Sequence, residues 1–399
     1  MPEYDLLVKN AHLIDPDQGL DAIGDLAIRD GRIARLSPDL PAAAARTVLE
    51  ADQRMVSAGW IDLHAHPAEA VVSFGLPPDA IGVRQGVTAI ADAGSTGYAN
   101  FACLRRYVIP AAATDLFCFL HISPVGEVVL PEIGYEACDR VAFIHTVQAH
   151  RQIIKGIKMR VIAEVVHSAV DVIALARSLA QETGLPLMVH IGTASTPQAT
   201  EEAIMRFTRR LLTLLRQDDI ITHAFTPKAG AIFDHAGNPL PELSDALARG
   251  VRLDVGSAHA HFSFRAARAA LQNGFAPYTL STDLTTLTHG KADRLSLSLV
   301  MSEFMALGFS LSEVIRRVTG NPARALGESA TRGSLREGML ADLTLFHVRA
   351  GDYTFSDGRA GHTQKGAALI VPEMVIKAGV IMPTDGIDPN WAPLTPHPG

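Results

Sequence analysis

The sequence predicts a two-part α/β protein: a (β/α)8 TIM barrel with a small β-sandwich domain built from the N- and C-terminal segments. Three observations point there. Between residues 57 and 332, short apolar runs alternate eight times with longer, Ala- and Leu-rich stretches, the rhythm of strand–helix repeats that close on themselves. The flanking segments, 1–56 and 333–382, carry strand-like runs and turn signals instead. No Gly-rich nucleotide turn follows the first apolar run, which disfavours an open doubly wound sheet. The last stretch, 383–399, holds several prolines and is expected to lie extended on the surface.

Each element follows in order. Tyr4–Lys9, Asp25–Ile28 and Arg32–Leu36 read as strands, with Asp30-Gly31 as a tight turn between the last two. The eight barrel strands are expected at Trp60–His64, Val87–Asp92, Leu116–Ile122, Gly156–Val161, Leu187–His190, Ile220–His223, Val251–Val255 and Thr279–Thr282. Helices are expected between them, among others at Asp171–Glu182, Glu201–Arg216 and Phe264–Gln272. Strand character returns at Ala341–Phe346, Ala368–Val371 and Glu373–Ala378, and Lys377–Ile381 reads as a last hairpin.

Composition narrows the function. The chain has 399 residues, 48% of them apolar and 19% charged, with a net charge of −7 and no block of like charge, so nucleic acid is not an expected partner. The three cysteines, Cys103, Cys118 and Cys138, match no disulfide or CxxC framework. Neither a signal-peptide pattern nor about 20 uninterrupted apolar residues is present. The expectation is a cytoplasmic protein that takes a small-molecule substrate and no membrane partner. A homo-oligomer is compatible with the sequence, although no interface is legible.

The chemistry should sit at the C-terminal ends of the barrel strands. His64 and His66 end the first strand and, two residues apart, share one face. Neutral imidazoles aimed at one point suit Zn²⁺. Lys158 lies on the fourth strand, His190 and His223 end the fifth and sixth, and Asp283 ends the eighth. A lone strand-end histidine is ordinarily structural; the series makes these a candidate metal site. Burial between Ile157 and Met159 lowers the pKa of Lys158 and favours a neutral amine. Such an amine can react with CO₂ to give a carbamate, an anion able to bridge two metals. The charge count agrees: two zinc ions bring about +4, which a carbamate, Asp283 and a hydroxide offset by about −3.

In order, HxH, lysine, two single histidines and aspartate resemble the amidohydrolase superfamily, in particular its dihydroorotase-like branch of amidohydrolase/deacetylase metallohydrolases. The local stretches that carry the resemblance are Gly59-Trp60-Ile61-Asp62-Leu63-His64, Gly86-Val87-Thr88, Gly156-Ile157-Lys158-Met159-Arg160, Leu185-Pro186-Leu187-Met188-Val189-His190, Ile221-Thr222-His223, Ser281-Thr282-Asp283 and the run Gly333–Leu343. The resemblance implies that His64, His66 and Asp283 hold the more buried of two zinc ions. His190 and His223 hold the other, and carboxylated Lys158 bridges the two, with Lys155 as the rival for that place. It further implies a hydroxide nucleophile, a carbonyl polarised by the exposed metal, and Asp283 as the catalytic proton carrier.

The implied activity is hydrolysis of an amide or carboxylic ester bond of a small acyl compound, of the deacetylase type. A cyclic amidohydrolase of dihydroorotase or hydantoinase type, a mononuclear deaminase and a non-catalytic scaffold of the same fold are the alternatives; Lys158 counts against the deaminase. Arg160, His121 and His261 are candidate substrate contacts, and Arg160 would bind a substrate carboxylate. His259 is a weaker candidate. Thr285 stands where some relatives carry a histidine, and Asp92 reads as loop-capping.

Overall fold

A computed structural model of the chain describes residues 2–130, 134–197, 199–234, 237–258, 260–289, 295–359 and 362–382. The proline-containing stretch 383–399 and His259 lie outside the described residues. Five strands come first: β1 (Tyr4–Asp15), β2 (Leu20–Arg29), β3 (Arg32–Ser37), β4 (Ala45–Glu50) and β5 (Met55–Ala58). Seven follow with helices among them: β6 (Trp60–Ala65), β7 (Val87–Asp92), β8 (Asp115–His121), β9 (Ile154–Arg160), β10 (Leu187–His190), β11 (Ile220–Thr222) and β12 (Arg252–Leu253). The chain then returns to strands in β13 (Leu343–Ser356), β14 (Thr363–Lys377) and β15 (Val380–Ile381).

Strands β6 to β12 form one parallel sheet in sequence order. Both faces are covered, so the strands are near-continuous apolar runs; every residue of β6 and of β7 is buried. The helices between them obey local end signals. Asp171 caps Val172–Thr183 by accepting from the Ala174 N–H, and Gly184, at φ 67°, ends it in the left-handed conformation. Thr200 caps Glu201–Leu214 in the same way. The architecture is TIM-barrel-like.

The seventh and eighth expected strands are shorter than the sequence suggests. β12 has two residues. Among the described residues, 279–284 form no ladder and pair as the isolated bridges Asp254↔Thr279 and Ala65↔Leu284. The backbone explains this. Asp283 and His223 adopt φ values of 53° and 62°, outside the extended region, at a cost of roughly 1–3 kcal/mol each. The chain kinks at the residues that face the mouth. Hydrogen bonds still span the gap, from Ala258 N to Thr282 O (2.8 Å) and from Asp283 N to His64 O (2.6 Å).

The terminal strands, expected as a small β-sandwich, are hydrogen-bonded into a single sheet. They join one mixed sheet in the order β15-β14-β13-β5-β1-β2-β3, with β4 also pairing with β1. β5 links the chain ends, parallel to β1 and antiparallel to β13. β13 and β14 run much further than their expected pieces. Pro372, which interrupts the apolar run, sits at a register shift opposite Phe346, where a ladder tolerates proline. The outer half of this hairpin buries Tyr353 and Phe355 and carries its tip toward the barrel mouth.

Barrel and sheet are locked together at Trp60. Its ring is fully buried, 5.4 Å from that of Phe346 on β13. The Thr344 hydroxyl donates to Gly86 O at 2.7 Å across the same seam. Among the described residues no helix is long and apolar enough to cross a membrane. Replacing Trp60 with alanine is expected to cost about 3–5 kcal/mol of stability by cavity formation, measured by denaturant unfolding; a cost under about 1 kcal/mol would contradict the role of this seam.

Candidate metal centre

His64 is the best constrained of the site residues. Its Nδ1 lies 2.7 Å from the Thr222 hydroxyl, which donates to Asp254 Oδ2 at 2.7 Å. The hydroxyl has one proton, so it accepts from His64 Nδ1–H, and Nε2 turns to the mouth. There it meets Lys158 Nζ at 3.2 Å and Asp283 Oδ1 at 3.4 Å. His66 places Nδ1 2.9 Å from the Ser95 hydroxyl and Nε2 3.1 Å from the same Asp283 oxygen. His223 donates Nδ1–H to Gly256 O at 2.6 Å. That fixes its tautomer and leaves Nε2 buried without a partner, 3.8 Å from Asp283 Oδ2. One nitrogen held from behind and one presented forward is how metal-ligating histidines are oriented.

The charges agree with a cation site. Burial, and then the neighbouring imidazoles, push His190 and His223 well below the ordinary histidine pKa, so both are neutral donors. Burial and Lys158 act to lower His64, yet Asp283 and Asp254 outweigh them and raise it. Positive charge is thus favoured between His64 and Asp283. Burial opposes ionisation of Asp283, but the histidines around it hold its carboxyl well below the usual range. Among the described residues, two groups have ligand atoms within 4.8 Å of one another and could hold a metal ion: His64, His223 and Asp283, and His190, His223 and His261.

Lys158 is fully buried, and burial lowers its pKa. Gly94, at φ 98°, makes room for it: a Cβ there would stand 2.6 Å from Lys158 Cγ. Lys155 points elsewhere, with Nζ 2.6 Å from Glu328 Oε1 and 5.4 Å from the centroid of the Phe117 ring. Geometry therefore brings Lys158, and not Lys155, to the cluster.

Several supporting residues were invisible in the sequence because their partners lie far along the chain. Asp254 gathers the hydroxyls of Thr222, Thr279 and Ser281 at 2.6–2.8 Å. Asp62 accepts from His64 N and from Thr282 N and Oγ1, and burial pushes its pKa up to about 7. These two carboxylates fasten the closing segment to the strands that carry the histidines. Asp92 does cap its loop, accepting from Ser95 N at 3.1 Å. The one local signal is the presence of Thr and Ser beside the strand-end ligands, at Thr222, Thr279, Ser281 and Thr282.

A cavity of about 490 Å³ opens over the cluster, lined by His64, His66, Lys158, His190 and Asp283, with Phe74 and Leu287 as apolar walls. Arg160 lines it too, 3.1 Å from the buried carboxylate of Glu127. His261 stands in the mouth, its ring 4.2 Å from that of His223 and 4.7 Å from that of His190, and its Nε2 2.7 Å from Lys228 Nζ. His121 is not among the lining residues. It is buried on the strand beside Lys158 and accepts from Ser123 N. Thr285 lines the cavity. The tip of the β13–β14 hairpin, Asp357-Gly358-Arg359, forms one wall.

Fold and site together describe a TIM-barrel-like α/β protein with a buried His/Asp/Lys cluster at its strand ends. Residues 55–382 match the amidohydrolase family, and this chain belongs to it. It is 30% identical over 385 residues to a deacetylase of Enterococcus faecalis, covering 95% of this chain and 99% of that protein. The crystal structure of an adenine deaminase superposes with a TM-score of 0.84 at 29% identity, covering 95% of this chain and 99% of that one. The crystal structure of a dihydroorotase does so with a TM-score of 0.82 at 27% identity, over 94% and 98%.

The orientation of His64 is testable. Thr222→Val keeps the shape and removes the hydroxyl, and zinc affinity is expected to fall about 10–100-fold, read by titration against a competing chelator. Unchanged affinity would remove Thr222 from the ligand framework.

Proposed function

We propose that this protein is a binuclear zinc hydrolase that cleaves the amide or carboxylic ester bond of a small acyl compound, as a deacetylase does. The observation that carries the reading is the convergence of His64 Nε2 and His66 Nε2 on one oxygen of Asp283, with buried Lys158 Nζ 3.2 Å from the same His64 nitrogen. His64, His66 and Asp283 would hold one ion, and His190 and His223 the other. Lys158 would bridge them as a carbamate: its neutral Nζ bonds to the carbon of CO₂ and releases a proton, leaving an anion between two cations. When bound, the ions supply a nucleophilic water at neutral pH and a Lewis acid for the substrate carbonyl.

The chain's own residues do the rest. Asp283 is ionised and stands beside the attacking water's position; it takes the proton and hands it to the leaving group. An amide nitrogen requires that proton, and an ester oxygen requires it less, so the site suits either bond. The cavity is of small-molecule size, and buried Phe74 gives it an apolar wall. Thr279–Leu284 serves as the eighth barrel strand in this reading. The small sheet, 1–56 with 333–382, serves as the companion domain of a barrel spanning 57–332. The protein is proposed to work in the cytoplasm on a small molecule, with neither nucleic acid nor membrane as partner.

The nearly full-length likeness to a protein named deacetylase supports acyl-bond cleavage. A second reading, ring opening of a cyclic amide, is favoured by the likeness to a dihydroorotase structure. Zinc-loaded enzyme assayed on N-acetyl amino acids, O-acetyl hydroxy acids and cyclic imides separates them. Acetate release is the expected result; turnover of the cyclic imides alone would establish the second reading instead.

Two substitutions test the roles. Asp283→Asn is expected to keep the fold by circular dichroism and to reduce kcat by at least about 10²–10⁴-fold; a wild-type rate would remove Asp283 from proton transfer. Lys158→Ala is expected to drop metal content from two ions to one and to lose most activity, with no rescue by bicarbonate. Two ions and full turnover in that variant would overturn the bridge.

A further inference from the structure

The hairpin of the small sheet reaches the mouth of the barrel, and its tip carries a cation. Arg359 lines the cavity beside Asp357 and Gly358. Its guanidinium donates from Nη1 to Phe262 O at 2.6 Å and from Nη2 to Ala260 O at 3.3 Å. Those two carbonyls flank His261, whose ring packs on those of His190 and His223. Arg359 thus stands one residue away from the proposed ligands, held by neutral acceptors.

Charge bookkeeping separates Arg359 from the other cavity cations. Lys158 belongs to the proposed metal centre. Arg160 is 3.1 Å from the buried carboxylate of Glu127, which offsets its charge. Among the described residues Arg359 pairs with one acid, buried Asp357, at 3.7 Å, a looser approach than that of Arg160 to Glu127. The oxygens of Asp357 are shared: Oδ2 accepts from Phe264 N at 3.2 Å and lies 3.7 Å from His362 Nδ1, while Oδ1 accepts from the backbone N of Arg359 at 3.2 Å. Phe264 begins the nine-residue helix Phe264–Gln272, whose positive end draws on the charge of Asp357. Carbonyl oxygens orient a guanidinium without neutralising it. A carboxylate entering the cavity gains more from Arg359 than from Arg160, which it would have to share with Glu127.

We propose that Arg359, contributed by the small sheet, is the specificity-determining residue of the cavity, binding the carboxylate of an anionic acyl substrate. The inference rests on the acyl-hydrolase reading and deepens it. It reassigns the anionic contact from Arg160 on the barrel to a residue on the other sheet. The apolar walls at Phe74 and Leu287 leave room beside it for an apolar side chain.

The test compares N-acetylphenylalanine, in both enantiomers, with its uncharged primary amide, by acetate release from zinc-loaded enzyme. For Arg359→Gln, KM for the carboxylate is expected to rise at least tenfold with kcat changed less than threefold, and KM for the amide is expected to stay within twofold. Arg359→Lys should recover part of the loss, because a cation remains. An equal change for both compounds would mean that Arg359 only clasps the 260–262 segment, and would overturn the proposal, as would no change for either. If the glutamine variant does not fold, the wild type still decides: KM for the carboxylate should rise with ionic strength while that for the amide does not, and equal salt dependence would overturn the proposal. Failure of wild-type enzyme to release acetate from either compound would overturn the acyl-hydrolase reading itself, and is distinguishable from the other outcomes.

Discussion

The structure depends on one buried carboxylate. Asp283 sits within 3.4 Å of the forward nitrogens of two histidines and beside a lysine, in a place from which solvent is largely excluded. Left alone, such a cluster must either take up protons or separate. It stays together because each member is fixed from behind: His64 by Thr222 and Asp254, His66 by Ser95, and His223 by the Gly256 carbonyl. Divalent cations among them would balance the carboxylate and take the forward nitrogens as ligands. The site is built at a cost in backbone strain at His223 and Asp283, and the barrel strands end where that strain begins.

Two further buried acids tie neighbouring strand ends together at this point. Asp254 takes three hydroxyls from neighbouring strand ends, and Asp62 takes one hydroxyl and two amides. Both belong to the fold as much as to the site. They exchange the regular ladder that residues 279–284 lack for side-chain hydrogen bonds, and so allow the chain to bend Asp283 inward without opening the barrel mouth.

Much of this was readable from sequence. The HxH pair, the two strand-end histidines and Asp283 follow directly from apolar runs that end in polar residues, because the period of a strand decides which side chains share a face. Lys158 stands out over Lys155 because it lies inside the apolar strand, in the Gly-Ile-Lys run that carries the family resemblance. What escaped was whatever depends on partners distant in sequence. Thr222 and Asp254 read as ordinary strand residues until their spatial neighbours are known. The reach of β13 and β14 was hidden by Pro372 and by the polar outer half of the hairpin, so the contribution of Arg359 to the cavity had no local signal. His121 ends its strand as the ligands do, yet lies on the buried side of Lys158.

Anomalous diffraction from crystals grown with zinc addresses the central claim most directly. Two peaks are expected, one among His64, His66 and Asp283 and one at His190 and His223, with density joining Lys158 to both. No peak, or a single ion bound away from Asp283, would contradict the account.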